Sequence, residues 1–255
     1  MRIYLMNRKW MSFVAGIVII AAIFYLVGSP KIVGAAATTR QLPIYSVERD
    51  QKVVSLTFDA AWGNEDTQDL IDILGKYDVK ATFFLVGMWV DKYPESVKAL
   101  SDAGHEIMNH SATHAHMSRL SREEIIADID TCSAKIEAIT GVRPTLFRPP
   151  YGEYDDKVIS AVRSMGMEPI QWDVDSLDWK DLSAAEITKR VLSRIRPGSI
   201  VLFHNAALHT PEALPEIIES LIRDGYTIVP VSELLLEGEY SIDHTGRQIP
   251  AGSKT

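Results

Sequence analysis

The feature that most constrains this chain is a repeated alternation of short apolar runs with longer segments of helical spacing. VVSLTF at 53–58, ATFFLV at 81–86 and SIVLF at 199–203 read as buried strands, and shorter runs at 105–109, 146–148, 168–173 and 227–229 continue the series. Between them, residues 66–77, 90–103, 121–141, 155–165, 183–195 and 211–223 carry helical patterns, several ended by Gly104, Gly141 or Gly166. Ser121 and Glu124 form a capping-box pair that opens a helix with Ile125, Ile129 and Ile136 on one face. On the 211–223 helix, Leu214, Ile217, Ile218 and Leu221 make a core-facing stripe. Alternation of this kind implies parallel strands with helices packed outside them. About seven or eight such units predict a distorted (β/α) barrel of parallel strands, with a doubly wound open sheet as the competing arrangement. A chain of 255 residues suits one such domain with appendages.

In either fold the chemistry lies at the carboxyl ends of the strands. Those ends carry Asp59, His110, Arg148, Asp173 with Asp175, and His204. His110 and His114 are four apart in NHSATH, and a helical or tightly turned backbone would bring both imidazoles to one side of a divalent ion such as zinc. Alone the pair is a weak signal, since capping and surface histidines have the same spacing, but its place after a strand favours the metal. His116 is expected to be solvated, and Asp173 and Asp175 to support the site from behind. Cys132 shares a helical face with Ile129 and Ile136 and is expected to be a buried small side chain. No G-x-S-x-G segment occurs, which argues against a serine esterase. The net charge of −8 argues against a nucleic-acid partner.

Residues 10–28 are apolar and uncharged, and Arg2, Arg8 and Lys9 precede them. A bilayer span takes about 20 apolar residues, so this stretch is expected to be an N-terminal transmembrane segment. Basic residues ahead of it place the N-terminus in the cytoplasm and the remainder outside. Ala35, Ala36 and Ala37 also offer a signal-cleavage pattern, and anchor and cleaved signal alike export the domain. The expected division is a cytoplasmic tip with anchor or signal at 1–28, a linker at 29–45, the catalytic domain at 46–240 and a tail at 241–255.

In this order the chain carries TFDAAW, HSATH, RPPYG, DSLDW and VLFH. The ordered set resembles the five motifs of the polysaccharide deacetylases, the NodB-homology fold of carbohydrate esterase family four, over about residues 53–236. With its anchored layout the chain is similar to the sporulation-associated branch of that family. The resemblance implies a distorted (β/α) barrel and metal-dependent hydrolysis of N-acetyl groups on an N-acetylglucosamine-type polymer of cell wall or spore cortex. It also implies roles: Asp59 as general base, His110 and His114 as metal ligands, and Arg148 orienting Asp59. The backbone N–H of Tyr151 would hold the oxyanion, Asp178 would pair with His204, Trp179 would wall the site, and His204 would protonate the leaving amine. One position departs from the pattern. Ala60 stands where the family has a second, metal-ligating aspartate, and alanine cannot coordinate. Asn64 and Glu65 in the following loop are candidates to fill the gap. The alternative is a catalytically impaired protein that binds glycan without turnover.

Overall fold

A computed structural model describes residues 40–252 of the protein. The expected anchor or signal and most of the expected linker lie outside these residues. Among the described residues no helix is long and apolar enough to cross a membrane.

The elements follow the sequence alternation. After β1 (Ser46–Val47) and β2 (Val53–Ala60) comes α1 (Thr67–Lys76), then β3 (Thr82–Leu85), α2 (Gly87–Lys92), α3 (Pro94–Asp102) and β4 (Glu106–Asn109). Next are α4 (Arg122–Thr140), β5 (Leu146–Phe147), α5 (Asp156–Ser164), β6 (Glu168–Pro169), β7 (Val174–Asp175) and α6 (Ala184–Leu192). β8 (Ile200–His204), α7 (Thr210–Arg223), β9 (Thr227–Ile228), α8 (Val231–Leu234), β10 (Tyr240–Ile242) and β11 (Arg247–Pro250) complete the domain. The local signals act as expected. Ser121 and Glu124 make a full capping box on α4, and Gly141 ends that helix at φ 75°.

The main sheet runs β6-β5-β4-β3-β2-β8-β7, and β9 also pairs with β2. All its pairings are parallel. The sheet curls, and its two edges, β6 and β7, are consecutive in the chain with no helix between them. The single strand expected over 168–173 is therefore broken in two. The sheet remains an incomplete barrel, because residues 170–173 pass from one edge to the other without a crossover long enough to hold a helix.

The segment before β2 straps this seam. Ile44 bridges Ile170, and Ser46 bridges Ser199. Val47 N–H donates to the Gly198 carbonyl. A Cβ on Gly198 would lie 1.7 Å from the Val47 carbonyl oxygen, and its φ is +83°, so both space and backbone demand glycine after Pro197. The expected tail is not a free appendage. β10 and β11 form an antiparallel pair, and β11 lies parallel to β1.

β2 is buried on both faces, and its buried apolar residues share one of them. In β2, Val54, Leu56, Phe58 and Ala60 join the cluster that packs sheet against helices, with Leu214, Ile217, Ile218 and Leu221. A second cluster gathers Phe84, Met108, Leu146, Ile170 and Ile200 with Ile44, Val47, Val231 and Leu234. Cys132 is buried, and its Sγ contacts the Leu85 carbonyl at 3.4 Å.

His105, just before β4, is a buried imidazole inside this framework. Its Nδ1 accepts from the Ala81 N–H, while its Nε2 is buried without a partner. Burial, with a smaller effect of Lys80, pulls it down to about 4. An unfolded histidine takes a proton below about 6.5, so between about 6.5 and 4 the unfolded state binds more protons and stability falls as pH falls. The full difference is about 3 kcal/mol. Urea unfolding should show that His105→Gln loses less stability than wild type between pH 7 and 4.5. Equal losses would assign the acid sensitivity elsewhere.

Candidate active site

Strand register sets the centre of the site. Asp59 on β2 pairs with His204 on β8, so a carboxylate and an imidazole end neighbouring strands at the same level. Alternation along β2 turns Ser55, Thr57 and Asp59 to the face opposite Phe58 and Ala60. Arg148, directly after β5, reaches across to that face. One guanidinium nitrogen donates to Asp59 Oδ1 at 2.7 Å and to Thr57 Oγ1 at 2.8 Å, and the other donates to the Gln171 carbonyl at 3.2 Å. Arg148 is fully buried, with its guanidinium 4.0 Å from the Phe84 ring centroid. Burial by itself would raise the Asp59 carboxyl. The Arg148 charge, helped by His110 and His204, outweighs it and holds Asp59 below its ordinary range, as a carboxylate.

The two motif histidines sit beside that carboxylate. His110 Nε2 is 3.5 Å from Asp59 Oδ2, and its Nδ1 is 2.7 Å from the Arg148 carbonyl. A carbonyl only accepts, so Nδ1 carries the proton and Nε2 presents its lone pair. Burial pulls His110 below its ordinary value despite Asp59. Burial, then the charge of His110, pulls His114 down to about 4. The His110 and His114 ring centroids are 5.1 Å apart. The turn joining them is not helical. Ser111 and His114 have φ 70° and 55°, and Asn109 Oδ1 and Ser111 Oγ accept the N–H groups of Ser111 and His114.

On the other side, Asp178 carries His204. Its Oδ1 is 2.8 Å from His204 Nδ1, and its Oδ2 accepts the His204 backbone N–H and the Thr210 hydroxyl, each at 2.8 Å. Burial opposes charge on His204, but the hydrogen bond and charge of Asp178 prevail and raise it. A raised imidazole whose Nδ1 is occupied is built to deliver a proton from Nε2.

A cavity of about 410 Å³ collects these groups. Asp59, His110, His114, Tyr151, Trp179 and His204 line it, as the sequence motifs imply. Arg148 and Asp178 lie behind it, holding Asp59 and His204. Of the two acids after β6, Asp175 lines the cavity, whereas Asp173 bonds Ser199, Arg196 and the Ile200 N–H away from it. His116 is half-exposed, with Nδ1 2.7 Å from Glu153 and its ring stacked on Tyr151. Tyr151 itself has φ 60°, and the Gln171 amide donates to the next carbonyl, that of Gly152. Sequence reading missed Trp62 and Trp172, which also line the cavity, and Thr57 and Gln171, which brace it. Thr57 was recoverable, since it lies two residues before Asp59 on the same strand face. Trp172 was not, because it sits where β6 and β7 separate.

The donor set suits a divalent ion only in part. His110 has the right tautomer, with the ring fixed by a carbonyl, and His114 Nδ1 is buried with no partner. No third protein ligand among the described residues joins them. Among the described residues no group of three His, Cys, Asp or Glu side chains is placed to hold a metal. Ala60 packs in the sheet–helix core. Neither loop candidate for the gap lines the cavity. Asn64 donates to Ser96 Oγ, and Glu65 accepts from the Asn64 N–H. An ion here would be held by His110 and His114.

A curled parallel sheet with a carboxylate–arginine pair and an aspartate–histidine pair at its carboxyl edge defines a hydrolase-type site on a polysaccharide deacetylase fold. Residues 46–170 match the Polysaccharide deacetylase family. The chain is 31% identical over 193 residues to the peptidoglycan-N-acetylmuramic acid deacetylase PdaA of Bacillus subtilis, covering 74% of this chain and 73% of that protein. It is 40% identical over 189 residues to the peptidoglycan-N-acetylmuramic acid deacetylase PdaC of the same organism, covering 74% of this chain but only 40% of PdaC's length. Among solved structures, a Bacillus anthracis pseudoenzyme of carbohydrate esterase family four superposes with TM-score 0.74 at 38% identity, over 82% of this chain and 73% of that one. A mutant of that pseudoenzyme is described as having restored enzymatic activity. The chain belongs to the polysaccharide deacetylase family.

The Asp59–Arg148 pair generates a stability test. Arg148→Met would leave a buried carboxylate without its cation and is expected to cost about 3–5 kcal/mol. Adding Asp59→Asn removes that charge and should recover part of the loss. Urea unfolding of both variants checks this. A double variant no more stable than Arg148→Met would mean that packing of the guanidinium, not the ion pair, carries the stability.

Proposed function

We propose that this chain hydrolyses N-acetyl groups of an amino-sugar polymer, peptidoglycan or a related cell-wall or spore-cortex glycan. The observation that carries the reading is the pairing of Asp59 and His204 in one register on neighbouring strands at the cavity, each fixed by its own buried partner. Amide hydrolysis needs a base for the attacking water and an acid for the leaving amine. Asp59, kept ionised by Arg148, takes the proton from water. His204, whose hold on a proton Asp178 strengthens, gives one to the departing sugar nitrogen. The backbone N–H of Tyr151, at the cavity wall, is assigned to the developing oxyanion, the role it has by resemblance to the family. A divalent ion such as zinc, when bound at His110 and His114, would polarise the acetyl carbonyl and lower the pKa of water towards about 7.

A second reading rests on Ala60. With two imidazoles as its protein ligands the metal is weakly held, and the likeness to a pseudoenzyme points the same way. In that reading the domain binds glycan without turnover. Acetate release from N-acetylated peptidoglycan separates the two. The deacetylase reading expects release that a chelator stops and that His204→Ala lowers at least about 100-fold while glycan binding persists. Glycan binding with no acetate at saturating zinc would establish the second reading. Ala60→Asp should tighten zinc binding, in competition with a chelating dye, only if residue 60, the last of β2, turns from the core towards the imidazoles, and unchanged affinity would keep it in the core.

The domain acts outside the cytoplasm in this proposal, exported by residues 10–28. A polymer of the wall is reached only from that side. Protease added to intact protoplasts should digest the domain, and the uncleaved chain should fractionate with membranes. A protected soluble pool as the main form would refute export.

A further inference from the structure

The loop after β2 is fastened far more tightly than the fold requires, and it presents a tryptophan that no motif role uses. Asn205, next to His204 and 5% exposed, spends its whole side-chain amide on this loop. Its Oδ1 accepts the Ala61 N–H at 3.2 Å, and its Nδ2 donates to the Trp62 carbonyl at 2.5 Å and the Gly63 carbonyl at 2.8 Å. Trp89 Nε1 donates to the same Gly63 carbonyl at 2.5 Å. Further along, the Ala206 N–H donates to Asp66 Oδ2, and Asn64 donates to Ser96. Gly63 has φ +47°, and a Cβ there would fall 2.3 Å from a Glu65 carboxylate oxygen.

At the centre of this clamped loop the Trp62 side chain is 64% exposed. It lines the cavity, and its ring centroid is 5.7 Å from that of His114 at an interplanar angle of 74°. An indole left in water at a cleft mouth forgoes the stabilisation of burial. Fixing its backbone removes the ordering cost that would otherwise be met when a ligand covers it. The occupant is set by continuity with the site. Asp59 and His204 define where the reacting sugar lies, and Trp62 borders the same cavity on the His114 side. The apolar C–H face of a pyranose ring matches an indole surface, and no charged group is needed to hold it.

We propose that Trp62 is the platform for a second sugar ring of the glycan, adjoining the ring under attack, and that Asn205 is the positioning residue that holds this platform rigid. The site then reads a chain of sugars, not a single one. The inference rests on the glycan reading above, but on neither turnover nor metal. Calorimetric titration with N-acetylglucosamine and its pentamer tests it. Wild type should bind the pentamer at least about 10-fold more tightly than the monomer. Trp62→Ala should lose most of that advantage and leave monomer binding unchanged, and Trp62→Phe should keep much of it. Thermal unfolding of Trp62→Ala should match wild type, because an exposed side chain contributes little to stability. Asn205→Asp, which keeps the acceptor and loses both donors, should lower pentamer affinity with Trp62 intact and raise the mobility of the indole, read by fluorescence anisotropy. Trp62→Ala binding the pentamer like wild type would overturn the platform. Equal loss for monomer and pentamer would also overturn it, placing Trp62 over the reacting ring. A wild-type protein that binds neither sugar would instead remove the glycan reading itself.

Discussion

The site depends on one buried guanidinium. Arg148 holds Asp59 and Thr57 with one nitrogen and the Gln171 carbonyl with the other, so it joins β2 to the broken edge where β6 gives way to β7. Its own carbonyl fixes the His110 tautomer. A cation in an apolar interior is tolerable only when an anion and hydrogen-bond acceptors surround it. That requirement makes the base, the histidine and the seam of the barrel parts of one structure.

Around this centre the backbone takes conformations that L side chains avoid. Ser111, His114, Tyr151, Leu177 and Ala206 all have positive φ, and all lie within the loops at the carboxyl edge of the sheet. Each costs of the order of 1–3 kcal/mol and persists because surrounding bonds over-determine it. Asn109 and Ser111 hold the histidine turn, Gln171 holds the Tyr151 loop, Asp175 accepts the Leu177 N–H, and Asp66 accepts the Ala206 N–H. The curled sheet beneath supplies the rigidity against which those loops are set.

The two halves of the site are unequally built. Two carboxylate pairs are complete: Arg148 holds Asp59 as a carboxylate, and Asp178 raises His204. Where the proposed cation would lie there are two imidazoles and an alanine. Alternation explains the consequence of that alanine: a residue directly after Asp59 falls on the opposite strand face, where a methyl group is at home among Phe58 and Leu85 and leaves no polar group unsatisfied. An alanine at this place therefore leaves the core whole and the architecture of the family intact.

The sequence by itself determined the parallel α/β architecture and the polar groups that end its strands. Strand-length runs, capping boxes and helix-ending glycines are local signals, and the rule that chemistry collects at strand ends turned them into Asp59, His110, Arg148 and His204. Tertiary structure alone decided three further matters. Whether the sheet closes depended on residues 168–175, where a short apolar run reads as one strand and long-range pairing splits it into two. Residues read as a tail became strands because β1 offered an edge to pair with, and such pairing leaves no periodic mark in so short a segment. Whether Asn64 or Glu65 could replace the missing ligand depended on where the loop after β2 is pulled. Asn205 and Trp89, distant in sequence, pull it so that Trp62 faces the cavity and both candidates bond elsewhere. Hydrogen bonds between residues 26 to 143 positions apart are set by the packing of the whole sheet, and no local pattern encodes them.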